Sequence, residues 1–226
     1  MLIGILQAGH LDRGDVPMPE YDVLYPQMLA GHGFSFRTWR VVDDEFPDDV
    51  HAADGWLIGG SRHGVYDDLP WIPKLESFIR EAYANAVPLV GVCFGHQVIA
   101  QALGGRVEKF DGGWRVGRTD YEIEGEHFAL NAWHQDQVVE LPPMATLVGT
   151  GPGCTYAALA YDGKAFSVQP HPEFDDSVLK PLLEHRAPGV VEDDRIAPAQ
   201  EKLGTADDNA RMAARIAAFF KEAAHG

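Results

Sequence analysis

The stretch that most constrains this chain of 226 residues is PLVGVCFGHQVIAQALGG, residues 88–105. Leu89, Val90, Gly91 and Val92 form a short apolar run that reads as a buried strand. From Phe94 onward the apolar residues fall at helical spacing, at Val98, Ile99, Ala102 and Leu103, until Gly104 and Gly105 stop the helix. Cys93 therefore lies on the turn between a strand and a helix, with glycine at 91 and again at 95. A small core cysteine has no need of that position. A strand running straight into a helix is a unit of α/β architecture.

The flanking sequence continues the pattern. Residues 2–6 (LIGIL) read as a first strand, followed by a polar loop through Glu20. Residues 21–30 carry apolar groups at helical spacing, closed by Gly31 and Gly33. FSFRTWRVV (34–42) and DGWLIGG (54–60) read as strands, and a helix lies near 71–86, before the strand at 88–92 and the helix at 94–103. Strands alternating with helices predict an open, mostly parallel sheet flanked by helices, with right-handed crossovers. Residues 106–170 hold short alternating stretches such as RTDYEIEG, TYAALAY and KAFSVQP, which predict antiparallel or mixed sheet added to the same α/β core. Residues 186–208, polar and punctuated by Pro and Gly, read as a loop. ARMAARIAAFFKEAA (210–224) reads as a closing amphipathic helix. The expected organisation is one domain over residues 1–226.

Composition narrows the partners. A net charge of −16 and a pI near 4.9 repel phosphate backbones and anionic membranes, so neither nucleic acid nor membrane is expected as a partner. The apolar run in MLIGILQAGHLDRGD is too short for a signal-peptide core, and no stretch approaches a membrane span. The two cysteines, Cys93 and Cys154, form neither a disulfide framework nor a CxxC pair. The chain thus reads as a reduced, cytoplasmic protein with no metal or other cofactor, and Cys154 reads as an inert core thiol.

At Cys93 the following helix directs its N-terminal N–H groups and positive dipole end at the sulfur, which favours a thiolate when a base or cation is near. The backbone N–H of Phe94 can face a developing oxyanion. Gln97, four residues on, shares a helix face with Cys93 and is placed to bind substrate over the sulfur. The base must come from among ten histidines. His96 is on the nucleophile's own helix and reads as structural. His171, in SVQPHPEF just past an apolar strand, is better placed, and Glu173 two residues later turns to the same face and can fix the imidazole tautomer. The glycine pair of LIGGSRHGVYDD ends another strand, where open α/β sheets place ligands, and Gly60 is the expected second oxyanion donor. Trp56, Trp71 and Trp114 read as packing residues, with Trp133 a candidate exception.

These segments resemble the class I, or triad, glutamine amidotransferases. GVCFGHQ is similar to that family's G-x-C-x-G-x-Q nucleophile segment, HPEF to its His-Pro-Glu, and GGS to its glycine-pair loop. WHQDQV (133–138) resembles a Ser-His-Gly-Asp-x-Val stretch of the GMP synthetase amidotransferase domain. The resemblance spans most of residues 1–180. It implies a flavodoxin-like fold and hydrolysis of a γ-glutamyl amide through a thioester on Cys93, with His171 and Glu173 completing the triad. It further implies that Gln97 and the backbone near Trp133 and His134 hold the amino-acid end of a small γ-glutamyl substrate. Ser61 stands where the family often has proline, and Trp133 and Gln135 replace smaller residues, so the pocket is expected to differ. Nothing after residue 180 resembles a synthetase domain, so any use of the ammonia would fall to a separate synthetase subunit. Two other readings stay open: a catalytically silent or partner-dependent ligand-binding subunit on the same fold, and a cysteine peptidase on a related one.

Overall fold

The computed structural model describes residues 1–11 and 16–224. The polar loop predicted before α1 therefore lies partly outside the described residues. A nine-stranded sheet runs in the order β2-β1-β3-β4-β11-β10-β9-β6-β7. Its first five strands are mutually parallel: β2 (Ser35–Trp39), β1 (Leu2–Leu6), β3 (Gly55–Ile58), β4 (Leu89–Val92) and β11 (Ala165–Val168). The other four pair antiparallel: β10 (Cys154–Tyr161), β9 (Ala145–Gly151), β6 (Arg115–Ile123) and β7 (Glu126–His134). A separate two-stranded ladder joins β5 (Arg106–Lys109) to β8 (Asp136–Glu140). Helices α1 (Tyr21–Met28), α2 (Trp71–Ala84), α3 (Phe94–Ala102) and α6 (Asn209–Ala223) flank the sheet.

Both faces of the parallel strands are covered, so β1, β3, β4 and β11 are apolar nearly throughout and buried along their length. One core lies between the sheet and the α1/α6 layer, and another between the sheet and the α2/α3 layer. Among the described residues, no helix is long and apolar enough to cross a membrane.

Three segments depart from the sequence reading. The strand predicted over 34–42 ends at Trp39, and the chain turns through a 3-10 turn at Val41–Asp43. Residues 176–181 form a short helix, α4, capped by the Asp175 side chain, which accepts from the Ser177 N–H at 2.8 Å. The segment 186–208, predicted as a loop, contains helix α5 (Asp193–Glu201). Its mean hydropathy is low, and Ala199 is its only buried residue. Periodicity therefore had little to signal, and polar contacts to the loop before β6 hold the helix instead.

Register places the site. Ile58 pairs with Gly91, and Val168 with Val92, so the chain after β3 and after β11 emerges on either side of Cys93. Although β7 is the far edge of the nine-stranded order, its Asn131 bridges to His171, with the His171 N–H donating to the Asn131 carbonyl at 2.8 Å. The antiparallel extension thus curls back over the carboxyl ends of the parallel strands.

Candidate active site

Cys93 caps α3 with φ 54° and ψ −104°, a left-handed conformation that side chains rarely adopt and that costs about 1–3 kcal/mol. The surroundings hold it there. Its N–H donates to the Val168 carbonyl at 3.0 Å, and its carbonyl accepts from the Gln97 N–H at 3.1 Å. The two flanking glycines are needed for contact distance. A Cβ at Gly95 would lie 2.0 Å from the Ile58 carbonyl oxygen, and one at Gly91 would lie 2.5 Å from the Gly95 backbone. Helix α3, β4 and β3 approach too closely for any side chain, which is the physical content of G-x-C-x-G.

His171 and Glu173 are buried together, with Nδ1 2.7 Å from Oε1. A carboxylate accepts, so Nδ1 carries the proton and Nε2 is turned the other way. Burial alone lowers the His171 pKa. The Glu173 carboxylate, then the charge and polar contact of the Cys93 side chain, overcome this and raise it to about 10. Nε2 is buried without a hydrogen bond of normal geometry, so sulfur and imidazole are not locked together. The Cys93 sulfur is 3.9 Å from the Trp133 carbonyl. Phe174 stacks flat on the imidazole, with centroids 4.0 Å apart.

Tyr25 enters this network from α1, a role that sequence reading missed. Its hydroxyl donates to Glu173 Oε1 at 3.0 Å and accepts from the Gly60 N–H at 3.1 Å. Burial, then the Glu173 charge, raises its pKa well above the usual phenol value, so it stays a donor. Tyr21, one turn earlier, stacks on Tyr25 at 5.6 Å. The signal for both was present as tyrosines at helical spacing, but an aromatic on an apolar face looks the same whether it packs or bonds. The Gly60 N–H, expected to face an oxyanion, is thus held by a phenol, and Ser61 rather than Gly60 lines the cavity. The Phe94 N–H lies in the first turn of α3, where N–H groups have no partner within the helix.

Gln97 is fully oriented. Its amide nitrogen donates to the Asp136 carbonyl at 2.8 Å and to Gln169 Oε1 at 3.1 Å, so only its Oε1 is left for a ligand. Nδ1 of His134 donates to the Asp136 carbonyl at 3.3 Å. Burial, then the His171 charge, lowers the His134 pKa to about 3, so His134 is neutral. His96 is buried on Ser167 at 2.8 Å, with its pKa lowered by burial to about 4, a structural histidine as expected. Cys93 and Cys154 are both free, and burial raises the Cys154 thiol to about 12.

These groups border a cavity of about 440 Å³ lined by Ser61, Cys93, Gln97, Trp133, His134 and Asp136 among others. Trp114, read as a packing residue, also lines it, against Trp133. A larger cavity of about 560 Å³ lies at the opposite, amino-terminal edge of the strands near Met1, Asp54 and Pro88. Cys93 and the strand carboxyl ends face the first cavity, where ligands of open α/β sheets bind.

Comparison with known proteins finds relatives in sequence and in fold. Gamma-glutamyl peptidase 5 of Arabidopsis thaliana is 31% identical over 180 residues, covering 73% of this chain and 72% of its own. The glutamine-hydrolyzing GMP synthase of Vibrio vulnificus is 33% identical over 164 residues, 68% of this chain but 31% of its own. A solved glutamine amidotransferase from Thermotoga maritima superposes with a TM-score of 0.77 at 18% identity, covering 100% of this chain and 98% of its own, and shares the fold. Residues 30–185 match the glutamine amidotransferase class-I family, and the chain belongs to it.

Proposed function

We propose that the chain hydrolyses a γ-glutamyl amide. The Cys93 thiolate attacks the γ-carbonyl, and the C–N bond breaks as protonated His171 gives its proton to the leaving amine. The resulting γ-glutamyl thioester is cleaved by water, from which His171 now takes a proton, releasing glutamate and the thiolate. Glu173 holds the imidazole tautomer throughout, and the Phe94 N–H meets the oxyanion. Gln97 Oε1 accepts from the substrate's α-ammonium, and the backbone at Trp133 and His134 borders the same end. The observation carrying this reading is the buried 2.7 Å His171–Glu173 pair beside a cysteine in a strained strand-to-helix turn.

Within that reaction, a γ-glutamyl peptide is favoured over glutamine, supported by the gamma-glutamyl peptidase relatives and by a cavity larger than a glutamyl group fills. If glutamine is the substrate, a separate synthetase subunit takes the ammonia, as the partial match to GMP synthase suggests. Two free, buried cysteines fit a reducing cytoplasm. One observation favours a partner-dependent variant of this reading: the Gly60 N–H is engaged by Tyr25, so Gly60 serves the oxyanion only after leaving that phenol.

The test is intact-mass spectrometry after exposure to a glutamine-like chloroketone. A single adduct on the wild type and none on Cys93→Ala is expected. No adduct on wild type with a free, reduced Cys93 overturns the hydrolase reading in favour of a silent or partner-dependent subunit.

A further inference from the structure

Beyond the residues given a role above, the more exposed lining of the cavity forms an outer half. At about 440 Å³ the cavity falls in the range of pockets that enclose drug-sized ligands, about 300–1,000 Å³. Cys93, Gln97 and His134 bound its inner end. Trp114, Trp133 and Val190 supply an apolar surface elsewhere in its lining, together with the cations Arg62 and Lys109. The two indoles lie 5.8 Å apart, tilted by 54°, leaving ring faces and edges for a third apolar group. Val190 is 58% exposed, an aliphatic side chain held out in the cavity lining rather than in the core. Arg62 is exposed and has no hydrogen-bond or ion-pair partner among the described residues.

The segment carrying Val190 and α5 also fixes Trp114. The Trp114 N–H donates to Glu192 Oε2 at 3.3 Å, and Arg195 donates to the carbonyls of Trp114 and Gly112. Glu192 and Arg195 pair with each other at 3.2 Å. Two charged side chains thus clamp the backbone on both sides of one indole at the mouth of a catalytic cavity.

We propose that this outer half is the subsite for the amine half of the substrate, and that it takes an amino acid or short peptide with an aromatic or large apolar side chain. The side chain lies on Trp114, Trp133 and Val190, and its carboxylate meets Arg62. This rests on the γ-glutamyl reading above and assigns the specificity of that same site.

The experiment measures kcat/KM of the intact protein for γ-glutamyl-phenylalanine, γ-glutamyl-glycine, γ-glutamyl-anilide and glutamine. The phenylalanine dipeptide is expected to exceed the glycine dipeptide by about ten-fold or more. Trp114→Ala collapses that ratio. Val190→Asp, at an exposed position where folding is not at stake, lowers it as well. Arg62→Gln raises KM for γ-glutamyl-phenylalanine more than for the anilide, which has no carboxylate. Equal kcat/KM for the two dipeptides, or a ratio preserved in both Trp114→Ala and Val190→Asp, overturns the subsite while leaving γ-glutamyl hydrolysis standing. No turnover of any substrate together with no chloroketone adduct defeats both.

Discussion

Cys93 and His171 are held in the parallel half of the sheet by backbone: strand register, glycine contacts at van der Waals limits, and main-chain hydrogen bonds. Trp133 and His134 in the antiparallel extension sit in the β6–β7 backbone ladder, and polar side chains reinforce it and fix Trp114 just before it. Arg118, buried in β6, donates to Asn131 Oδ1 at 2.9 Å and to the carbonyls of Thr205 and Ala206 at 2.6 and 2.8 Å. Asn131 in turn donates to the Phe174 carbonyl at 2.7 Å and accepts from the His171 N–H. The two site histidines show the same contrast. Both are buried, yet His171 is raised to about 10 by Glu173 while His134, with no carboxylate, is lowered to about 3. Burial alone does not set a charge state; the partner does. At Cys93 the frame is backbone alone, whereas in the extension side chains reinforce the ladder, and Asn131 ties the two regions together.

Gly95→Ala puts the sharpest strain on this contrast. With a Cβ 2.0 Å from a backbone oxygen, it is expected to destabilise the fold by about 3 kcal/mol or more and to abolish chloroketone labelling. A variant with wild-type melting and labelling would show that the elbow is not backbone-limited. In the extension, Arg118→Met leaves the buried Asn131 Oδ1 without its donor and removes the bonds to the more exposed Thr205 and Ala206 carbonyls, and urea denaturation should show a loss of about 1–3 kcal/mol. An unchanged midpoint would mean that the extension is held by its strand pairing instead.

Glu173→Gln tests the charge contrast directly. The folded His171 value lies above the ordinary histidine value of about 6.5. Its contribution to stability is therefore complete below that pH and is lost as pH rises through about 10. The stability gap between wild type and Glu173→Gln should narrow from neutral pH to about pH 10, and the variant's imidazole, left with burial opposed only by Cys93, should titrate well below the wild-type value by NMR. A constant gap would place the carboxylate's role in packing. The smallest effect is expected for Tyr25→Phe, which removes one donor to Glu173 and leaves the Gly60 N–H without its partner. It should cost about 1–2 kcal/mol and lower kcat several-fold with little change in KM. A rise in kcat would instead mark the phenol as a brake on the glycine loop.

Along the parallel half, local sequence was enough to foresee the strands, the turn at Cys93 and the partners His171 and Glu173. There, apolar runs, helical spacing and glycine at contact positions each leave a local trace. Helix α5 left none, because its fixation comes from Glu192 and Arg195 reaching the backbone of residues 112–114, which lie about eighty positions away in the chain. Tyr25, Arg118 and Asn131 were equally silent: each has an ordinary residue type at an ordinary spacing, and only its long-range partner gives it a task. The alternation of strands and helices in the first half, the turn at Cys93 and the juxtaposition of His171 with Glu173 were legible in the sequence itself. The curl that returns β7 to His171, the phenol that holds Gly60 and the clamp that sets Trp114 at the cavity were decided by tertiary structure, because hydrogen bonds between distant segments leave no periodic signal.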